Sequence, residues 1–121
     1  MKSYKEQYTE EERKAECEKM NNKYPNRICV IVERSTSCNS NIGEIDKRKY
    51  LVSYDMQLSA FLIVLRKRIS LGKEQSLLVF AKDKHLLTST LTMAQIYNEH
   101  KDEDGFLYMT YCGENTFGYR A

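Results

Sequence analysis

The sequence predicts an α+β fold: a four-stranded mixed sheet with one helix packed on a face and a charged helical extension in front. Three observations carry this. Segments rich in β-branched and aromatic residues recur at 27–33, 47–52, 76–81 and 105–111. Between the second and third, Leu58, Phe61, Leu62, Leu65 and Ile69 fall at helical spacing. Capping boxes stand at Thr9 with Glu12 and at Thr92 with Gln95, each opening a helix.

The helix opened by Thr9 runs to about Lys23, and Tyr24-Pro25 stops it, because the residue before proline avoids the helical region. Its apolar stripe is thin (Cys17, Met20 and Tyr24, beside the aliphatic stem of Arg13), which places it on a surface. Residues before Thr9 leave room for one short extra turn. The strand at 27–33 leads into a polar loop at 35–41, and the strand at 47–52 begins on the basic run Lys47, Arg48, Lys49. The amphipathic helix ends in Arg66, Lys67 and Arg68, suited to the negative end of its dipole. The strand at 76–81 is followed by the short helix from Thr92 to about His100, a turn, and the strand at 105–111.

Beyond Tyr111 the chain has no hydrophobic period and no strand left in the sequence to pair with. It reads as a strand running off the fold into a free tail. The bland alternative is a frayed terminus. The element order is that of the ubiquitin-like β-grasp. It divides the chain into a helical extension (1–26), a β-grasp domain (27–112) and a tail (113–121).

The chain has 121 residues, enough for one domain with a real core. With 41% hydrophobic and 30% charged residues it is neither disordered nor membrane-spanning in composition. A net charge of +2 is too small to imply nucleic acid. The longest apolar run, 60–65, is far short of a membrane span, and the N-terminus lacks a secretory apolar stretch. Four cysteines (Cys17, Cys29, Cys38, Cys112) form no short-spaced pair, which argues against a metal site and leaves reduced cytosolic thiols as the expectation.

The cysteines with His85 or His100 are candidate nucleophilic pairs, but no strand-to-helix elbow surrounds them. The five glycines are isolated, so there is no phosphate cradle. The sequence therefore reads as a non-enzyme without cofactor or metal. Its two basic clusters admit three accounts: solvated charge that protects a sheet edge, nucleic-acid binding, or docking of an acidic-flanked extended peptide by strand addition. Only Tyr50 interleaves with the charge, so nucleic acid is not expected as a partner.

Several blocks bear a resemblance: residues 24–28, 44–52, 100–108 and 114–118, with Ile69. In these the chain resembles the autophagy-related protein eight family, ubiquitin-like modifiers that include the GABA-receptor-associated protein and the microtubule-associated light-chain modifiers. The match runs in order along nearly the whole chain and is most similar to the fungal-type branch. The resemblance implies a β-grasp with two N-terminal helices, and a tail cut by a dedicated cysteine protease after Gly118, with Phe117 as an apolar anchor. Activating and conjugating enzymes would then join the Gly118 carboxylate to phosphatidylethanolamine on an autophagosomal membrane. It also implies binding of motif-bearing cargo receptors through an aromatic residue and an aliphatic one three positions on. Carried over by position, the aromatic pocket involves Glu16, Met20, Cys29, Ile31, Lys49, Leu51 and Phe106. The aliphatic pocket involves Tyr50, Val52, Met56, Phe61 and Val64, and a basic rim comprises Lys47, Arg48 and Arg68. The alternative is an unconjugated peptide-motif adaptor in vesicle trafficking.

The departures are specific. Cys29, Ser53 and Leu86-Leu87 stand where members usually carry proline; at 29 and 53 its loss frees the backbone and restores N–H donors beside both pockets. The loop around Cys38 is longer than usual, and Tyr119, Arg120 and Ala121 extend past Gly118.

Overall fold

The N-terminal segment folds onto the domain through two successive capping boxes. Ser3 and Glu6 open helix α1 (Tyr4–Gln7), and Thr9 and Glu12 open α2 (Glu10–Lys23). The structure, a computed structural model, describes residues 2–38, 42–69, 71 and 75–115. After α2 come β1 (Arg27–Arg34), β2 (Lys49–Ser53), α3 (Leu58–Arg68), β3 (Gln75–Ala81), β4 (His85–Leu86), α4 (Met93–His100) and β5 (Leu107–Asn115). The sheet runs β2-β1-β5-β3-β4, with β1 and β5 parallel at its centre and the other pairs antiparallel.

The sheet thus has five strands, not the four expected. Lys82 and Asp83 take left-handed φ of 55° and 58°, and the tight turn they form brings His85 and Leu86 back against Ala81 and Phe80. Asp83 is held there by hydroxyl donors from Ser35 (2.7 Å), Thr36 (3.2 Å) and Thr110 (3.0 Å). β5 also departs from expectation. It continues past Tyr111, with Cys112 opposite Leu78 and Asn115 opposite Gln75. An antiparallel partner earlier in the chain was available to it. A further correction concerns the thiols: Cys38 and Cys112, 74 residues apart, form a disulfide, while Cys17 and Cys29 are free.

The sheet divides the core in two. On one face α3 packs Leu58, Phe61 and Leu65 against Ile28, Val30, Val52, Met109 and Tyr111. Each such side chain contributes about 1.5–3 kcal/mol by leaving water. On the other face, under α1 and α2, lies a smaller cluster of Tyr4, Cys17, Cys29, Ile31 and Phe106. Cys17 is the one buried residue of α2, so polar anchors hold the helix. Arg13 meets the fully buried Asp104 carboxylate at 2.6 Å, and Asp104 also accepts from the Phe106 N–H (2.9 Å) and the Tyr108 hydroxyl (2.5 Å). Gly105, at φ +95°, passes so close to α2 that a Cβ there would lie 2.6 Å from the Cys17 sulfur.

Candidate peptide-docking edge and tail

Among the described residues β2 is a terminal strand, paired on one side only by β1. In that pairing Lys49 stands opposite Ile31 and Leu51 opposite Cys29, while Tyr50 stands opposite Val30 and Val52 opposite Ile28. Side chains alternate along a strand, so β2 presents Lys49 and Leu51 to the α2 face and Tyr50 and Val52 to the α3 face.

On the α2 face the seven residues expected to line an aromatic pocket come together. Cys29, Ile31 and Phe106 form a buried floor, with Met20 and Leu51 half-buried against it. Lys49 and Glu16 close an ion pair at 2.6 Å beside it. The hydrogen bond from Lys49 holds the Glu16 carboxyl below its usual range. Beside them a cleft of about 610 Å³ opens between the helices and β2, lined by Tyr4, Tyr8, Glu12, Glu16, Lys47, Arg48 and Lys49. Cys17 of α2 packs against Cys29, and that neighbour together with burial pushes the Cys17 thiol up.

On the α3 face Tyr50, Val52 and Phe61 are buried, Met56 packs against their cluster, and Val64 is 39% exposed. The Tyr50 and Phe61 rings meet edge to face at 5.4 Å. The Tyr50 hydroxyl is buried without a hydrogen-bond partner among the described residues, and burial pushes its pKa up.

The basic rim is not uniform. Lys47 is exposed, with its ammonium 5.1 Å from the centre of the Tyr50 ring. Arg48 is turned inward: its guanidinium donates to Glu33 (3.1 Å), to the Lys2 carbonyl (2.9 Å) and to Gln7, and lies over Tyr4. It fastens α1 to the sheet. Arg68 ties the end of α3 to Asp46 at 3.2 Å.

Two groups of lining residues escaped the sequence reading. Tyr4 and Tyr8, their tilted rings 4.8 Å apart, line the cleft, and their i, i+4 spacing was the available signal. Ile63, 59% exposed beside Val64, lengthens the apolar surface on α3. His85 and His100 stack on each other at 5.3 Å. Phe117 and Gly118 lie outside the described residues. Among the described residues no helix is long and apolar enough to cross a membrane.

A five-stranded β-grasp sheet preceded by two helices, with an apolar cluster on each side of its edge strand, defines a ubiquitin-like protein. The family model described as "Autophagy protein Atg8 ubiquitin like" matches residues 12–118, and the chain belongs to that family. It is 51% identical to Autophagy-related protein 8 of Candida glabrata over 118 residues, 98% of each chain. The crystal structure of Trypanosoma brucei ATG8 superposes with a TM-score of 0.85 at 44% identity, covering 98% of this chain and 99% of that one. Plasmodium falciparum Atg8, solved in complex with a P. falciparum Atg3 peptide, gives 0.78 at 35% identity over 92% and 95% of the two chains. As a member of this family the chain is a ubiquitin-like modifier of autophagy that is conjugated to lipid.

Proposed function

We propose that the chain is cut after Gly118, joined through that carboxylate to phosphatidylethanolamine on autophagosomal membranes, and recruits cargo receptors by taking aromatic-x-x-aliphatic segments onto β2. The observation that carries the docking half is the register of β2, which faces Leu51 and Tyr50 in opposite directions. A peptide added as a further strand alternates in the same way, so residues three apart point to opposite faces. Its aromatic side chain then enters on the α2 face toward the half-buried Met20 and Leu51, above the floor of Cys29, Ile31 and Phe106, flanked by Glu16 and Lys49. Its aliphatic side chain reaches Tyr50, Val52, Met56, Phe61 and Val64. Acidic flanking residues meet Lys47 and Lys49. Arg48 and Arg68 hold the surrounding elements in place.

The conjugation half rests on the chemistry of glycine. Without a Cβ, Gly118 lets an extended tail thread a narrow cleft and leaves its activated carboxyl open to an amine. A two-chain lipid provides an anchor that one acyl chain does not. The complex of the P. falciparum relative with an Atg3 peptide supports an Atg3-like conjugating enzyme as a partner. A processing cysteine protease and an activating enzyme complete the route. The extension (1–26) and domain (27–112) carry recognition and the tail (113–121) carries attachment, with no catalysis by the chain itself. The precursor is cytoplasmic, and the lipidated form resides on autophagosomes and in the vacuole or lysosome. Gly118→Ala tests the reading: it abolishes both the lipid mass adduct and membrane association. Survival of both in that variant would show that attachment is not made at Gly118, whereas an unaltered chain that binds motif peptides but never carries a lipid adduct would favour the unconjugated vesicle-trafficking adaptor.

A further inference from the structure

We propose that the Cys38–Cys112 disulfide is a reductant-released clasp on the root of the tail, and that its oxidised form slows cleavage after Gly118. The second clause rests on the Gly118 reading above. The ladder between β1 and β5 ends where Arg34 stands opposite Tyr111, and the Ser35 N–H donates to the Tyr111 carbonyl at 2.9 Å. β1 then turns away, with the Cys38 N–H on the Ser35 carbonyl at 3.3 Å. Cys112 is the next residue of β5, and its disulfide to Cys38, with Cα atoms 5.5 Å apart, continues the attachment just where that ladder stops.

The turn that carries Cys38 is itself well anchored. Ser35 and Thr36 donate to Asp83 at 2.7 and 3.2 Å, and Arg34 donates to the carbonyls of Ile42 (3.0 Å) and Cys38 (3.5 Å). Cys112 is therefore bound covalently to a fixed point. From Cys112 through Asn115, β5 is also paired with β3, and Gly118 follows Asn115 by three residues in the sequence. A protease that takes its substrate as an extended strand draws on the residues just ahead of the scissile bond. Those residues reach back into the paired stretch. Holding Cys112 to Cys38 opposes their release from β3, and reduction removes that restraint.

Both bonded cysteines are partly exposed, within reach of small thiols, whereas the free thiols Cys17 and Cys29 are buried beneath α2. The exchange is balanced. Two thiol groups of a reductant deliver two electrons and two protons, the sulfur–sulfur bond breaks to two cysteine thiols, and the reductant leaves as its own disulfide; a small-molecule disulfide reverses the step. A reducing cytosol releases the clasp and an oxidising episode sets it.

The test compares the full 121-residue precursor, oxidised and reduced, with Cys38→Ser, with the state of the bond verified by intact mass. Amide hydrogen exchange at 112–115 reads the clasp directly. We expect it to quicken roughly tenfold or more on reduction, the ratio that about 1.4 kcal/mol of local stability gives, and to be insensitive to reductant in Cys38→Ser. Cleavage by a pre-reduced processing protease in thiol-free buffer is expected to be correspondingly slower for the oxidised chain. Equal exchange in the two states, or equal cleavage rates, overturns the proposal while leaving Gly118 as the cleavage site. Absence of cleavage after Gly118 in both states overturns the Gly118 reading instead, and exchange alone then decides whether the clasp exists.

Discussion

Tyr50 and Leu51 adjoin in the chain and face opposite sides of the sheet, Tyr50 toward Phe61 of α3 and Leu51 toward the cluster beneath α2. Because β2 is an edge strand, a peptide added to it samples both pockets only if its two anchoring side chains alternate out of phase. Peptides with the aromatic and aliphatic residues three apart are predicted to bind, whereas the same residues two apart put both side chains on one face. The mismatched peptide forfeits burial of one anchor, about 1.5–3 kcal/mol or roughly ten- to hundredfold in Kd. Calorimetric titration of the two peptides checks this; equal affinities would show that strand addition on β2 is not the docking mode.

The Arg13–Asp104 pair is predicted to dominate attachment of the helical extension. The Asp104 side chain is fully buried and serves Arg13, Tyr108 and the Phe106 N–H together. Asp104→Ala strips all three at once and leaves a guanidinium that is 12% exposed without its partner. Breaking a buried pair from one side typically costs about 3–5 kcal/mol. Urea unfolding followed by circular dichroism measures the loss; a change below about 1 kcal/mol, the range of surface ion pairs, would show that the pair behaves as if exposed.

Acid is predicted to weaken the contacts that hold α1 and α2 to the domain. The Lys49 hydrogen bond holds the Glu16 carboxyl low. In Asp102, burial opposes ionisation but is outweighed by the Lys5 hydrogen bond and the Asp104 N–H. A depressed carboxylate contributes stability that is fully present above its unfolded pKa, roughly 4, and is lost as pH falls through the lower folded value. Stability should therefore decline below about pH 4, and Lys49→Met should remove the Glu16 share of that decline. Chemical denaturation across pH 2–6 reads both effects, and an unchanged slope in the variant would contradict the assignment.

Reduction is predicted to lower global stability as well as to loosen β5. A bridge spanning 74 residues restricts the unfolded chain strongly, and such bridges typically contribute about 2–4 kcal/mol. Denaturation of the wild type in reductant should match that of Cys38→Ser with or without reductant. Identical curves for oxidised and reduced wild type would count against this.

What the sequence disclosed was mostly local. The capping boxes at Thr9 and Thr92 and the period of Leu58, Phe61 and Leu65 depend on residues three or four apart, and they are as expected. β4 went unseen because its turn has Lys82 and Asp83 where glycine usually signals a left-handed bend. The hydroxyls that steady Asp83 come from Ser35, Thr36 and Thr110, remote in the chain. The length of β5 was hidden because Cys112 through Asn115 show no alternation, and only the pairing with β3 organises them. The disulfide had no spacing signal at all. Around β2, family resemblance supplied the residues expected to line the pockets, but not that Arg48 would be turned inward onto Glu33 and Tyr4.

The intact mass of the protein recovered from cells undergoing autophagy tests the central claim most directly. The account predicts a chain that has lost Tyr119, Arg120 and Ala121, with a membrane-bound fraction heavier by one phosphatidylethanolamine attached at Gly118. A membrane-bound chain that still ends in Ala121 and carries no lipid would contradict it.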